Sequence, residues 1–315
     1  MAVGQRLTWI DWCKSVAILM VILGHLPLHE QISHFIYLWH MPLFFMLSGY
    51  LYKRCALKDE FKKCIYSILL PYLIYNIFYL LPLPHGGEFK PNYIFNFLIG
   101  NQEGVCFLMR PLWFLVSLIV MRIICSIIQL RTQLLLLISL IISFALFGTG
   151  LVNQKDFDPL QIQTTIFSLP FFLMGMLLKE QCVLSKIRTR NSIKIIASSI
   201  LFLLFTLIGL YNYGSGINSF RCAFGKNILL FYLVAFALSF ILFFICFTFS
   251  RKDYHFIRTI SNGTLFILCT HLIIIWKINI FLHNSFVISA VVLLISYPLI
   301  KLSERYCPIL IGKRF

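Results

Sequence analysis

Apolar residues dominate the chain in long runs broken by short polar loops. Ten of these runs are long enough to cross the ~30 Å hydrocarbon core of a bilayer: residues 9–27, 35–52, 64–83, 112–130, 133–152, 164–178, 195–213, 228–249, 263–282 and 286–302. The pattern predicts an all-α, polytopic membrane helix bundle of about ten spans. The first run holds Asp11 and Lys14 and is followed by no small-residue cleavage site, so it reads as a retained helix. With no appended soluble segment or low-complexity stretch, residues 1–315 read as one transmembrane domain.

The first two runs carry the chemistry. At about 100° per residue, Asp11, Lys14, Ile18, Val21 or Ile22, and His25 fall along one stripe of the first helix. Lipid cannot solvate such a stripe, so it must face protein or a water-filled cavity. Counted from Trp9, His25 lies ~24 Å along the helix, far from Lys14 at the other end. Imidazole titrates near neutral pH, which suits it to take a proton from a hydroxyl and return it to a leaving group. His40 opens the second run at the level of His25, where it could orient an acceptor or His25, or sit at the interface beside Trp39. Asp11 and Lys14, spaced i,i+3, read either as a local ion pair that makes insertion cheaper or as a pair in which Lys14 also meets donor phosphate.

Other polar positions allow two readings. RPLWFL places Arg110 and Trp113 at the mouth of the fourth run, as a belt pair or as substrate contacts. His271, in the ninth run, is either a packing hydrogen-bonder or part of the site. Pro170 and Gly175 in the sixth run predict a kink or a close helix approach. Residues 85–110 form the longest loop between runs, polar and aromatic enough for a re-entrant or interfacial segment, and the LPLPHGG stretch before it punctuates the third run.

Composition agrees. The chain is 60% hydrophobic and 12% charged, with a net charge of +16 and a mean hydropathy of +0.88. With both termini cytoplasmic, 21 of the 27 Lys and Arg fall on the inner side and 5 on the outer, and Lys277 lies within a helix. The basic excess therefore reports topology and anionic lipid head groups, not nucleic acid. The ten cysteines show no spacing for zinc or redox work. Only Cys106 and Cys222 fall in outer loops, which leaves a disulfide between them open.

The strings WIDWCKSVAILMVILGH, FIYLWHMPLFFMLSGYL, PLWFL, SLPFFLMGMLLK, ISNGTLFILCTH and CPILIGK resemble the integral-membrane type 3 acyltransferase family, and within it the fucose 4-O-acetylase-like sugar O-acetyltransferases. The resemblance implies transfer of an acyl group, usually acetyl, from cytoplasmic acetyl-CoA to a sugar hydroxyl of a cell-surface polysaccharide or its lipid-linked precursor. It places the protein in a bacterial inner membrane, with acyl-CoA as co-substrate and no permanently bound cofactor or metal. His25 and His40 are then the expected catalytic residues. Asp11, Lys14, Ser48, Arg110, Trp113 and His271 are the expected donor- or substrate-binding ones. Many relatives carry Arg, with ten residues between it and the helix-one His, where this chain has Lys14. Lysine keeps the charge and loses the planar fork. A secondary transporter or lipid-linked sugar flippase is the competing reading, since ten spans and a polar cavity suit it too.

Overall fold

The computed structural model describes residues 7–81, 90–152, 157–184, 192–214, 216–250 and 252–313. The Pro/Gly-rich residues 82–89, Lys155 and the centre of the basic 179–194 loop lie outside them. The chain is helical nearly throughout. In order, the helices are α1 (Thr8–Gly24), α2 (Glu30–Leu51), α3 (Leu57–Cys64), α4 (Leu70–Leu80), α5 (Asn92–Leu98), α6 (Trp113–Ile127), α7 (Thr132–Ser143), α8 (Ile162–Glu180), α9 (Ser192–Asn212), α10 (Ile228–Phe249), α11 (His255–Asn262), α12 (Thr264–Ile278) and α13 (Ser285–Tyr306). A π-turn at Ile65–Leu69 joins α3 to α4. Among the described residues the β-structure is one hairpin between α9 and α10, pairing Ile217 with Phe224 and Asn218 with Ala223.

Among the described residues helix covers most of each of the ten expected runs. Among the described residues six helices are long and apolar enough to cross a membrane by themselves, or seven if α11 and α12, bent by 82°, form one broken span. The remaining runs are shorter or carry more polar residues: α1 has 17 residues, and α2 opens on Glu30, Gln31 and His34. Lipid-facing surface is plain on α9, where Ile196, Ile200, Leu203 and Leu207 stand exposed, as a multi-pass membrane protein requires.

Helix α1 is the hub, packing against α2, α10, α11, α12 and α13. Its polar stripe consequently faces the interior of the bundle. Asp11 is buried and its Oδ1 accepts from the Ser261 hydroxyl at 2.6 Å. Ser15 donates to the Ile257 carbonyl at 3.1 Å. The helix stops at His25 because Pro27 biases the preceding Leu26 away from helical backbone, and the exposed ends are tied down. Tyr37 donates to the Gly24 carbonyl at 3.1 Å, and Ser285 to the Pro27 carbonyl at 2.6 Å.

Helices α2 and α8 cross with their backbones in close approach. A Cβ at Gly49 would collide with the Phe172 carbonyl, and one at Gly175 with the Met46 carbonyl. The small residues thus let two backbones touch, the close approach that Gly175 foretold. The segment after α4 is folded onto the bundle: Tyr72 donates to the Phe97 carbonyl, Gln102 to Tyr72 and Gln161 to the Gly100 carbonyl. The bonds to the Phe97 and Gly100 carbonyls satisfy backbone groups that lipid could not, and the segment leads into the turn at Phe107–Leu112. Cys106 and Cys222 both stand as thiols.

Candidate functional site

Two cavities lie end to end in the bundle. The first, of about 160 Å³, is lined by Lys14, Ile18, Met41, Ser48, Phe114 and Leu268, among others. The second, of about 270 Å³, is lined by His25, Tyr37, His40, Met41, Arg110, Trp113, Phe220, Arg221 and Leu268 among others. Met41 of α2 and Leu268 of α12 belong to both walls, so these two side chains form the partition between the chambers. Beyond Ser48, Leu51 and Leu118 the Lys14 chamber meets a third hollow lined by Tyr52, Lys53, Glu60, Lys63 and Arg122. Lys63 and Arg122 continue into a fourth, with Asp59 and Lys62. The line of hollows is basic at one end and carries imidazoles at the other.

Two imidazoles, His25 and His40, line the far chamber and a third, His271, stands behind His25, and their tautomers follow from their partners. A carbonyl oxygen only accepts, so a neutral ring nitrogen bonded to one must carry the proton. His25 Nδ1 lies 2.8 Å from the Val21 carbonyl, and His40 Nδ1 lies 2.7 Å from the Ile36 carbonyl. Each ring, four residues after its acceptor, therefore donates back along its own helix and keeps Nε2 as the unprotonated nitrogen. His271 Nδ1 sits 3.0 Å from the Ile267 carbonyl and 2.9 Å from that of Leu268, so it is a donor too. That makes His271 Nε2 an acceptor, and it lies 3.4 Å from His25 Nδ1. The His25 and His271 rings meet edge to face with centroids 4.8 Å apart. The result is a base-competent Nε2 on His25 whose opposite nitrogen is backed by a carbonyl and a second imidazole.

The remaining wall comes from two distant segments. The hairpin between α9 and α10 supplies Asn218, Ser219, Phe220 and Arg221. The Asn218 carboxamide caps the turn by accepting from the Phe220 amide at 3.0 Å. Thr164 donates to the Phe220 carbonyl at 3.1 Å, and Asn212 clamps the hairpin base by donating to the Phe224 and Asn227 carbonyls. The Phe107–Leu112 turn and α6 supply Arg110 and Trp113, whose indole stacks on Phe220 with centroids 5.5 Å apart and planes at 27°. Arg110 Nε and Ser219 Oγ are buried and make no hydrogen bond.

At the basic end, Arg122 Nε donates to the buried Glu60 at 2.6 Å. The Cys55 thiol donates to the same carboxylate at 3.0 Å. Tyr52 reaches the Arg122 carbonyl, and Arg54 donates to the Leu130 carbonyl and Thr132. The loop after α2 is thereby locked to α6.

The expected site residues thus divide by place. His25, His40, Arg110 and Trp113 line one chamber, and Lys14 and Ser48 line the other. His271 is fully buried behind His25, and Asp11 holds Ser261 at the base of α1. Tyr37, Arg221, Ser219 and the partition residues Met41 and Leu268 were not singled out from sequence. Arg221 could have been, as one of only five cations on the proposed outer side, and Tyr37 stands one turn before His40 on α2. Among the described residues no group of three or more His, Cys, Asp or Glu could hold a metal ion.

Residues 7–301 match a family model described as an acyltransferase domain. No curated relative and no solved structure matches the chain.

Proposed function

Because the chain belongs to the type 3 acyltransferase family over residues 7–301, we propose that it transfers an acetyl group from cytoplasmic acetyl-CoA to a sugar hydroxyl held in the His25 chamber. The observation that carries this reading is the shared wall at Met41 and Leu268, where a chamber adjoining a basic mouth meets one lined by imidazole and aromatic groups. A thioester donor is long and anionic at its nucleotide end and apolar at its acyl end. Lys53, Lys62, Lys63 and Lys14 suit the phosphates, and the apolar Lys14 chamber suits the pantetheine arm.

In this mechanism the sugar hydroxyl gives its proton to His25 Nε2 as its oxygen attacks the thioester carbonyl. The new C–O bond forms a tetrahedral oxyanion. Its collapse breaks the C–S bond, and the imidazolium returns the proton to the departing CoA thiolate. While His25 is charged, the Val21 carbonyl and His271 Nε2 face its Nδ1–H, the side where positive charge needs an acceptor. The acceptor would be a surface polysaccharide or its lipid-linked precursor, presented at the outer face of a bacterial inner membrane with both protein termini cytoplasmic.

The test is radiolabelled acetyl-CoA supplied to membranes containing the protein or its His25→Gln variant. Release of free CoA with label in glycan, lost in His25→Gln at equal expression, supports the reading; near-normal transfer by the variant removes His25 from it. Unconsumed acetyl-CoA would point instead to solute or lipid-linked sugar movement. Label that stays on the protein without acceptor, and only with His25 present, would mean an acyl-histidine intermediate in place of direct attack.

A further inference from the structure

The His25 chamber holds more positive charge than acyl transfer to a neutral sugar needs. Arg110 enters from the turn before α6 and Arg221 from the hairpin, so two guanidinium groups line one cavity of about 270 Å³. Among the described residues none of its lining side chains is acidic. Arg110 Nε is buried and makes no hydrogen bond, and neither does Ser219 Oγ, on a residue 4% exposed. Buried donors without acceptors are costly, roughly 1–3 kcal/mol each and more when charged, unless a ligand supplies the acceptor. Guanidinium donors match the paired oxygens of carboxylate and phosphate, where a neutral hydroxyl offers only one poor acceptor. In the same wall the stacked Trp113 and Phe220 give an apolar edge against which the C–H face of a sugar ring can lie.

We propose that this chamber selects an acceptor bearing an oxyanion, a carboxylate or a phosphate, on the acylated sugar or on the unit next to it, held by Arg110 and Arg221 beside His25. The proposal rests on reading the His25 chamber as the acceptor site. It adds that neutral glycans are poor acceptors, and that charge places the reacting hydroxyl toward His25 Nε2 while Ser219 bonds an anionic or hydroxyl oxygen.

The test reads occupancy without needing turnover. Full-length protein in nanodiscs is treated with diethyl pyrocarbonate at matched ionic strength, and carbethoxylation of the His25 peptide is followed by mass spectrometry. The runs contain D-glucuronate, glucose 1-phosphate or glucose. The proposal expects one or both anionic sugars to slow modification of His25 about tenfold relative to glucose, the effect of one charge-assisted pair. The Arg110→Gln and Arg221→Gln variants should each lose that difference. Protection by glucuronate alone assigns a carboxylate, and protection by glucose 1-phosphate alone assigns a phosphate. Equal protection by glucose, or none by either anion, overturns the proposal, and these wild-type results stand even if an arginine variant misfolds. Selective protection in a protein that consumes no acetyl-CoA would keep the anion site and discard the acyltransferase mechanism. Acetyl-CoA-dependent transfer without such protection would do the reverse.

Discussion

His271 stands behind His25, its Nε2 3.4 Å from His25 Nδ1 and its own Nδ1 committed to the Ile267 and Leu268 carbonyls. The two residues are 246 apart in sequence, one capping the C-terminal end of α1 and the other on α12, and the contact couples the ring at the chamber wall to one that is fully buried. In the proposed mechanism His271 acts through His25, as a positioning residue.

Replacing His271 with Leu should lower kcat on the order of tenfold, part of the ~10²–10⁴ that a positioned base contributes. KM for both substrates should stay put. His271→Gln, whose amide oxygen can stand near the lost Nε2, should recover much of the rate. Steady-state kinetics of purified protein decide this. Equal losses in kcat for Leu and Gln, or a change confined to KM, would rule out the orienting role.

Lys14 lines the chamber that leads to the basic mouth. Lys14→Ala should raise the acetyl-CoA concentration needed for half-maximal rate about tenfold with kcat little changed, as loss of one charge-assisted contact predicts. Lys14→Arg restores a planar fork and should bind donor at least as well as the native lysine. Titration of the rate against acetyl-CoA measures both.

The shared wall at Met41 and Leu268 makes a geometric prediction. In the proposed reaction the sugar hydroxyl and the thioester meet across this wall, so Leu268→Trp should thicken it and cut acetyl transfer more than about tenfold, while a non-reactive CoA analogue still binds from the basic end. Binding by calorimetry together with transfer by radiolabel separates the two effects. Undiminished transfer through a bulky residue would mean that the acyl group takes another route.

Gly49 and Gly175 each meet a carbonyl of the facing helix. Gly175→Ala forces α2 and α8 apart and should cost about 1–3 kcal/mol, as overpacking of a tight contact does. Fluorescence-detected chromatography after a heating series should show a lower midpoint for Gly175→Ala. A control change of exposed Leu203 on α9 to Ala should leave it within the experimental scatter.

How much of this was legible follows from which residues are near one another in sequence. The helical character and the polar stripe of α1 come from 3.6-residue periodicity, a local property, and Lys14 and His25 lie on that stripe as the periodicity requires. Gly175 announced a close approach, but only the structure shows Gly49 as its counterpart. Lengths were less well marked: α1 ends at Gly24, and α12 covers only part of the 263–282 run, bent sharply from α11. Hydropathy averages over such breaks and cannot see them.

Pairings across the bundle were invisible. Nothing local links His25 to His271, Trp113 to Phe220, or Arg122 to Glu60 at 62 residues' separation. Arg221 looked like one of a few cations marking a side of the membrane, and Arg110 with Trp113 read equally well as an interfacial belt. Both arginines line the His25 chamber because the hairpin folds over the turn before α6. The thiols of Cys106 and Cys222, left open by sequence, form no disulfide.

By itself, then, the sequence determined an apolar, many-helix chain whose first helix must turn its charged face inward, because hydrocarbon cannot solvate Asp11, Lys14 or an imidazole. The tertiary structure alone decided that this face opens into two chambers divided by Met41 and Leu268, which proton each imidazole carries, and which arginines share the chamber with His25. The physical reason is range. Periodicity and solvation act on each residue where it stands, whereas a cavity exists only between side chains from different helices.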